Sequence, residues 1–504
     1  MSDGSVGVPI ADLDVAVVGA GIAGIGLGIR LKRRGGLSFA LFERADRVGG
    51  TWRDNTYPGV ACDVPSQLYS YSFKPNPNWS SYFAPGDEIE RYLESCVAEE
   101  SLAEHLRLST DVVGMVWNES ANLWALETSL GSVTARVLVL AAGRLSEPRY
   151  PDVPGLDTFP GESFHSARWD HSVSLAGKSV AVVGSGASSV QIVPEVARTA
   201  SRVSVLQRSA PYVIPRENPS YSLAERTLFA RDAGELARLR SALFWKAEEA
   251  YSQRAAETTA LESARARALG HLRAQVDDAQ LRAKLTPHYE IGCKRVLISS
   301  EYYPALTLPH VSLEASALAA IDRDTLVMAN GARHHADVVI FATGFHAAEQ
   351  PYAKAVTGRD GETLAQHWST GMTGFASTTV HGFPNLFIIN GPNAAVGHNS
   401  AIYMIETQID YVLGALQHQR SNGDAPLEVT ARAEREYVAM VDARSASTVW
   451  MTGRCESWYL DPRSGRLTLI WPDFAFAFRA LNGSFTADSY EPEASTATRD
   501  LPVA

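Results

Sequence analysis

Four apolar runs stand out along the chain because each stops at a glycine: VAVVGAG (15–21), VLVLAAG (137–143), SVAVVGSG (179–186) and DVVIFATG (337–344). Short Val- and Ile-rich runs without polar alternation predict strands buried on both faces, as in a parallel sheet covered by helices. The first and third lead through helix-like stretches into second apolar runs, SFALFE (38–43) and RVSVLQR (202–208). Each therefore predicts a βαβ unit. From Asp14 to about Arg149 strand and helix patterns alternate, closing in a Pro-rich connection that runs to Pro160. Residues 221–285 are rich in Ala, Arg and Glu and carry high helix propensity, which predicts a helical insertion that either covers an edge of the second unit or walls a cavity. Further on, FPNLFIINGPNAAVGHNS (383–400) predicts a strand, a Gly/Asn/Pro loop and a helix starting near Ala401. That loop is a candidate seat for an electron-rich ring at a helix N-terminus.

The predicted fold class is α/β with two Rossmann-like dinucleotide-binding domains. The first is assembled from residues 1–150 and 346–485, and the second from 151–345 with the insertion at about 221–285. Residues 1–12 are expected to be a loose leader, and 486–504 a surface strap or disordered tail.

The two glycine loops lead to residues of opposite charge. Gly19, Gly21 and Gly24 precede Glu43, and Gly184 and Gly186 precede Arg208 at the same separation. A carboxylate at the tip of the second strand accepts hydrogen bonds from ribose hydroxyls, whereas a guanidinium there suits a 2′-phosphate. FAD is thus expected on the first unit and NADPH on the second. Ser188, Gln191 and Ser209 are counted with the second site. Ser189 stands where a third glycine would pack helix against strand, a place that tolerates a small residue.

At 504 residues and 45% apolar composition, the chain can bury a large core in two or three domains. Its formal charge of −11 argues against a non-specific nucleic-acid partner. No apolar run approaches the ~20 residues of a membrane span, so a cytoplasmic protein with no membrane partner is expected. Cys62, Cys96, Cys293 and Cys455 are widely spaced, which argues against a metal site, a disulfide framework and a redox-active Cys pair beside a flavin.

FPGESFHSARWD carries Phe159, Gly161, His165, Trp169 and Asp170 in the order FxGxxxHxxxW followed by Asp. With GGTWRDNTYPGVACD (49–63) upstream, DVVIFATG downstream and both glycine loops, the chain resembles the type I Baeyer–Villiger monooxygenases over almost its whole length. The resemblance implies NADPH- and O2-dependent insertion of oxygen next to a ketone carbonyl, giving an ester or lactone by way of a flavin C4a-peroxide. It places Arg295, in GCKRV, as the cation that stabilises developing negative charge, with Asp63 orienting it and His165 acting through domain movement. It also places Gly49, Gly50, Thr51, Trp52, Asp63, Tyr69 and Ser400 along FAD, Lys294 beside Arg208 at the 2′-phosphate, and Trp458 toward the nicotinamide or substrate. Asp461 and Pro462 depart from the family pattern after SWY. Sulfur or nitrogen oxygenation on the same scaffold, or an FAD/NADPH protein without oxygen transfer acting as oxidase or sensor, remain alternatives. The identity of the ketone and the oligomeric state are not written in these motifs.

Overall fold

The computed structural model describes residues 12–490. The expected leader before Asp12 and the tail from residue 491 onward lie outside the described residues. Leu13–Val18 lies at the heart of an eight-stranded sheet, parallel to Phe39–Phe42 on one side and to Gly131–Leu140 on the other. Leu386–Ile388 joins Gly131–Leu140 from far along the chain, so this sheet draws on both ends of the sequence. Val112–Asn118 and Leu123–Thr128 extend it as an antiparallel meander. A second sheet of five strands is parallel throughout, in the order Val311–Glu314, Arg202–Leu206, Ser179–Val183, Val338–Phe341, Glu162–His165.

The two sheets repeat one local construction. Gly19 N–H donates to Phe42 O at 2.8 Å, and Gly184 N–H donates to Leu206 O at 2.9 Å. Ala141 N–H reaches Val18 O, and Ala342 N–H reaches Val183 O, both at 2.8 Å. The apolar runs ending in Gly143 and Gly344 are thus the strands that back the two glycine loops. Each crosses from its strand into a glycine with positive φ, 71° and 81°, a conformation that costs glycine least.

Residues 223–284 form five helices, Leu223–Arg231, Ala233–Glu249, Tyr251–Arg254, Thr258–Gln275 and Ala279–Lys284. Composition alone does not mark where one stops and the next begins, but polar caps do. Ser222 and Glu225 form a reciprocal capping box, and Asp232 and Asp278 each accept two backbone N–H groups of the helix they precede. Arg240 pins the second of these helices to the first half, donating to Gln67 O, to Ser70 Oγ at 2.8 Å and to Ser70 O at 3.1 Å.

At the other end, Tyr490 is buried and its hydroxyl lies 2.6 Å from that of Tyr411 on the long helix Ala401–Ser421. The start of the expected tail is therefore docked. Apolar packing against Phe375 and Phe485 and a buried hydroxyl pair outweigh the polar character of the segment around it.

Cys293 and Cys455 form a disulfide, with Cα atoms 6.2 Å apart across 162 residues of sequence. This corrects the expectation from spacing, which sees only neighbours along the chain. Tertiary folding brings the segment before Arg295 against the loop before Trp458. Cys62 and Cys96 are free and buried.

Candidate functional site

The two glycine loops end in helices, Ile22–Arg34 and Ala187–Ala197, whose N-caps are Gly21 and Gly186. Their cap dihedrals nearly coincide, φ −85° and ψ −164° against φ −82° and ψ −166°, and neither cap supplies a side chain to the first N–H groups. Those donors are left to a ligand, and an anion is what helix N-termini favour. The glycines divide their work. A Cβ at Gly19 would stand 2.6 Å from Ala141 O, and one at Gly184 would overlap Ala342 O, so these two serve close strand contact. A Cβ at Gly186 would meet nothing within 4 Å, which is room that the protein leaves for a ligand. Gly24 sits where a Cβ would overlap Gly19 O, and Ser189, its counterpart, is fully buried. Gly50 backs the first loop, its Cβ position 3.0 Å from Gly21 Cα.

Glu43, at the tip of Phe39–Phe42, is buried and accepts from Ala20 N–H at 3.0 Å and Ala45 N–H at 3.1 Å while pairing with Arg53 at 2.9 Å. In the second unit Arg208 is exposed, and Lys294 Nζ donates to Ser209 Oγ at 2.9 Å. Burial, and then the neighbouring Arg208 charge, push the Lys294 ammonium below its ordinary range. A phosphate between the two cations relieves that repulsion. The carboxylate near Arg208 is Glu456, at 3.9 Å.

Asp63 and Arg295 meet although 232 residues separate them. Asp63 Oδ2 accepts from Arg295 Nε at 2.8 Å and from a terminal guanidinium nitrogen at 2.6 Å. The Asp63 charge holds the guanidinium above its ordinary range, outweighing burial, and Tyr459 adds to it. Asp63 is delivered by a segment of the first half that rests on the second unit's helix. Tyr57 OH donates to Gln191 Oε1 at 2.9 Å, and Gln191 Nε2 donates to Ala61 O at 3.0 Å. Gln191 is thus placed as a bridge between the halves. Ser188 lies close enough to the Tyr57 hydroxyl to stabilise its ionised form, against the burial that pushes this phenol up to about 12.

Arg295 and Asp63 line a cavity of about 540 Å³. The insertion forms one wall, from Ala247 through Arg254 to Arg267, and Gly397 to Asn399 form part of another. Both roles open to the insertion are seen: it walls the cavity, and it also covers an edge of the second unit, where Leu272 and Val276 join the core of the five-stranded sheet and Lys284 Nζ donates to Leu313 O of the edge strand at 3.2 Å. Ser400, next in line, caps the helix Ala401–Ser421 by accepting from Ile402 N–H, and it donates to Leu68 O at 2.8 Å. Trp52 packs edge-on against Tyr69 with ring centres 5.4 Å apart, its buried indole close enough to the Tyr69 hydroxyl to favour the ionised form of that phenol. Thr51 opens the short helix that carries Trp52.

Two expected residues stand apart from this cavity. His165 ends the edge strand of the five-stranded sheet, fully buried among Tyr150, Phe345 and Ala167 N–H, which it accepts at 3.1 Å. Burial pushes its imidazole down to about 4, so it is neutral. Trp458 is 43% exposed and packs at a tilt against Tyr459, whose side chain is the buried one. The disulfide ties their loop to the Arg295 segment, and Ser457 Oγ adds a bond to Cys293 O at 3.1 Å. Tyr459 and Arg254 are site residues to which the sequence reading gave no role. Tyr459 is the last residue of the SWY motif, whose Trp is the one expected at the site, and Arg254 has only a position in a helix-rich stretch as its sequence signal.

Among the described residues, no helix is long and apolar enough to cross a membrane, and no group of three or more His, Cys, Asp or Glu is placed to hold a metal. Residues 16–231 match the family described as pyridine nucleotide-disulphide oxidoreductase, a span that contains both glycine loops. The chain is 45% identical over 470 residues to a Baeyer–Villiger monooxygenase of Streptomyces coelicolor, covering 92% of this chain and 90% of the relative. A crystal structure of cyclohexanone monooxygenase from Rhodococcus sp. Phi1 bound to NADP+ superimposes with a TM-score of 0.83 at 28% identity, over 93% of this chain and 96% of that one. The structure of OTEMO in complex with FAD and NADP superimposes with a TM-score of 0.85 at 26% identity, over 96% of this chain and all of that one (100%).

Proposed function

The chain belongs to the Baeyer–Villiger monooxygenase family, an FAD-containing, NADPH- and O2-dependent oxidoreductase, and from that premise we propose that the cavity at Arg295 and Asp63 takes a small ketone and returns its ester or lactone. The observation that carries this reading is the ion pair itself. A fixed cation faces a cavity, and the carboxylate that pairs with it there locks its orientation.

Bound flavin, once reduced by NADPH, supplies the activation of O2 and the oxygen atom that is transferred. In the net reaction ketone, O2, NADPH and a proton give ester, NADP+ and water. The chain's own residues do the rest. Negative charge grows on the ketone oxygen as its carbon becomes tetrahedral, and the Arg295 guanidinium lies ready to meet it without reorganising. Asp63 keeps that guanidinium ionised and aimed. Arg208, Ser209 and Lys294 hold the 2′-phosphate, and the uncapped N-termini at Gly21 and Gly186 take the two pyrophosphates. Helices of the insertion close the cavity side and keep water from the reacting atoms.

The test is product analysis under labelled oxygen. Purified holoenzyme with NADPH, 18O2 and a panel of cyclic, aryl and linear ketones is expected to give esters carrying one labelled oxygen, with NADPH consumed in equal amount. Hydrogen peroxide matching NADPH consumption with every ketone, or sulfoxide from thioethers with no ester, would overturn the ketone assignment.

A further inference from the structure

Besides the half-buried Arg295, the cavity holds a buried guanidinium for which the reaction has no use. Arg254 ends the short helix Tyr251–Arg254 and is 8% exposed. Its hydrogen-bond partners are neutral: Gln253 Oε1 at 2.5 Å and Gly397 O at 3.3 Å. Among the described residues no carboxylate pairs with it, whereas Arg295 has Asp63. The group sits between two glycines that make room for it. A Cβ at Gly292 would come within 3.0 Å of a terminal guanidinium nitrogen, and one at Gly397 within 3.5 Å of Nε.

Burial pushes Arg254 down to about 10, against a smaller opposing effect of Tyr459 and with the Arg295 charge adding to it, which still leaves it a cation at neutral pH. A buried cation without a counter-charge is costly and calls for an anion. The remaining lining repeats the sign. Arg267 stands exposed on the same wall with no ion pair among the described residues, and Gln253 Nε2 is buried without an acceptor. The lining's only carboxylate is Asp63, already engaged. Glu248, behind the wall, is taken up by His398, Asn399 and the Phe476 N–H. The cavity is thus cationic in a chain whose net charge is −11, so it does not merely sample the composition. Leu68, Ile214, Ile291, Val296 and Ile298 supply apolar surface on the same walls.

We infer that the substrate is a ketone bearing a carboxylate, with Arg254 as the specificity residue that binds the carboxylate and Arg267 drawing it toward the cavity. The inference rests on the monooxygenase reading above for the fate of the carbonyl, but the anion site stands on its own geometry. Arg254 touches substrate and leaves the reacting carbonyl to Arg295.

Matched pairs test it: acetophenone against 4-acetylbenzoate, 2-pentanone against 4-oxopentanoate, and 2-octanone against 7-oxooctanoate. With wild-type holoenzyme, at least one acid is expected to show a KM about tenfold or more below that of its neutral partner, the advantage shrinking with added salt. Arg254→Gln is expected to erase that advantage, raising the KM of the acid about tenfold more than that of its neutral partner without raising the KM for NADPH, with Arg254→Lys retaining part of the preference. Arg267→Gln, on an exposed position, should slow capture of the acid only. Calorimetry of the acids on the NADP+-loaded oxidised holoenzyme reads the same site without turnover. Acids that bind wild type and not Arg254→Gln support the anion site even if no ester forms from any ketone, an outcome that would sink only the monooxygenase reading. No preference for any acid, equal losses for acid and neutral ketone, or a raised NADPH KM in Arg254→Gln would overturn the inference.

Discussion

Three arginines show how one residue type takes different roles from its surroundings. Arg295 is paired with Asp63, Arg208 is exposed beside Lys294, and Arg254 is buried with neutral partners. Removing the first should stop oxygen insertion, with ketone-dependent ester formation down by at least about a hundredfold in Arg295→Ala. Flavin bleaching by NADPH without oxygen should persist, and its collapse would show that the role given to Arg295 is wrong. Arg208→Ala should raise the KM for NADPH by about tenfold while that for NADH changes little, since only the former carries the phosphate that the guanidinium meets. Steady-state assays with both nucleotides decide this, and equal effects would remove the 2′-phosphate argument. Glu43 and Arg208 were legible from the sequence because a strand tip following a Gly-rich loop has a known place in a βαβ unit. Arg254 was not, because nothing local distinguishes it from the other arginines of an Ala/Arg/Glu-rich helical stretch.

At the scale of elements, the two βαβ units allow a comparison of glycines with different duties. Gly184 has φ +120° and its Cβ position overlaps Ala342 O, so Gly184→Ala should destabilise the protein by about 2 kcal/mol or more, read as a lower denaturation midpoint. Gly186→Ala has free space in the protein, so its midpoint should stay near wild type while the KM for NADPH rises by about tenfold, the methyl taking room meant for pyrophosphate. Matching thermal melts for the two variants would refute this division. The disulfide belongs to this scale as well, since it joins the Arg295 segment to the loop carrying Trp458 and Tyr459. Cys455→Ser is expected to lower stability by about 2–4 kcal/mol and to speed proteolysis around residues 453–461. A thiol count that rises from two to four when the denatured protein is reduced checks the pairing. Helix content over 223–284 was legible from composition, whereas the breaks within it depended on caps at Ser222, Asp232 and Asp278.

At the scale of the whole molecule, contacts between the halves decide the site. Asp63 comes from a loop of the half built around the eight-stranded sheet, and Arg295 from the middle of the chain. Tyr57, Gln191 and Ala61 O set their distance through two hydrogen bonds of 2.9 and 3.0 Å. His165, buried where the five-stranded sheet meets Tyr150 and Phe345, should make stability depend on pH. Its folded pKa, about 4, lies below the ordinary 6.5, so the unfolded chain binds the proton first as pH falls. Stability from this group is complete above about 6.5 and is lost progressively toward about 4, by at most roughly 3 kcal/mol. Urea midpoints across that window should slope less in His165→Gln than in wild type, and identical slopes would remove His165 as the cause. The sequence by itself determined the two nucleotide units, the charges at their strand tips and the motif that carries Arg295, because strand periodicity, glycine conformation and short-range spacing are local properties. Only the tertiary structure decided that Cys293 meets Cys455, that the insertion walls the cavity, that Trp458 faces outward while Tyr459 faces inward, and that Arg254 is buried with no counter-charge among the described residues. Each of these depends on which distant segments pack together, and that is settled by burial across the whole fold, which no local pattern encodes.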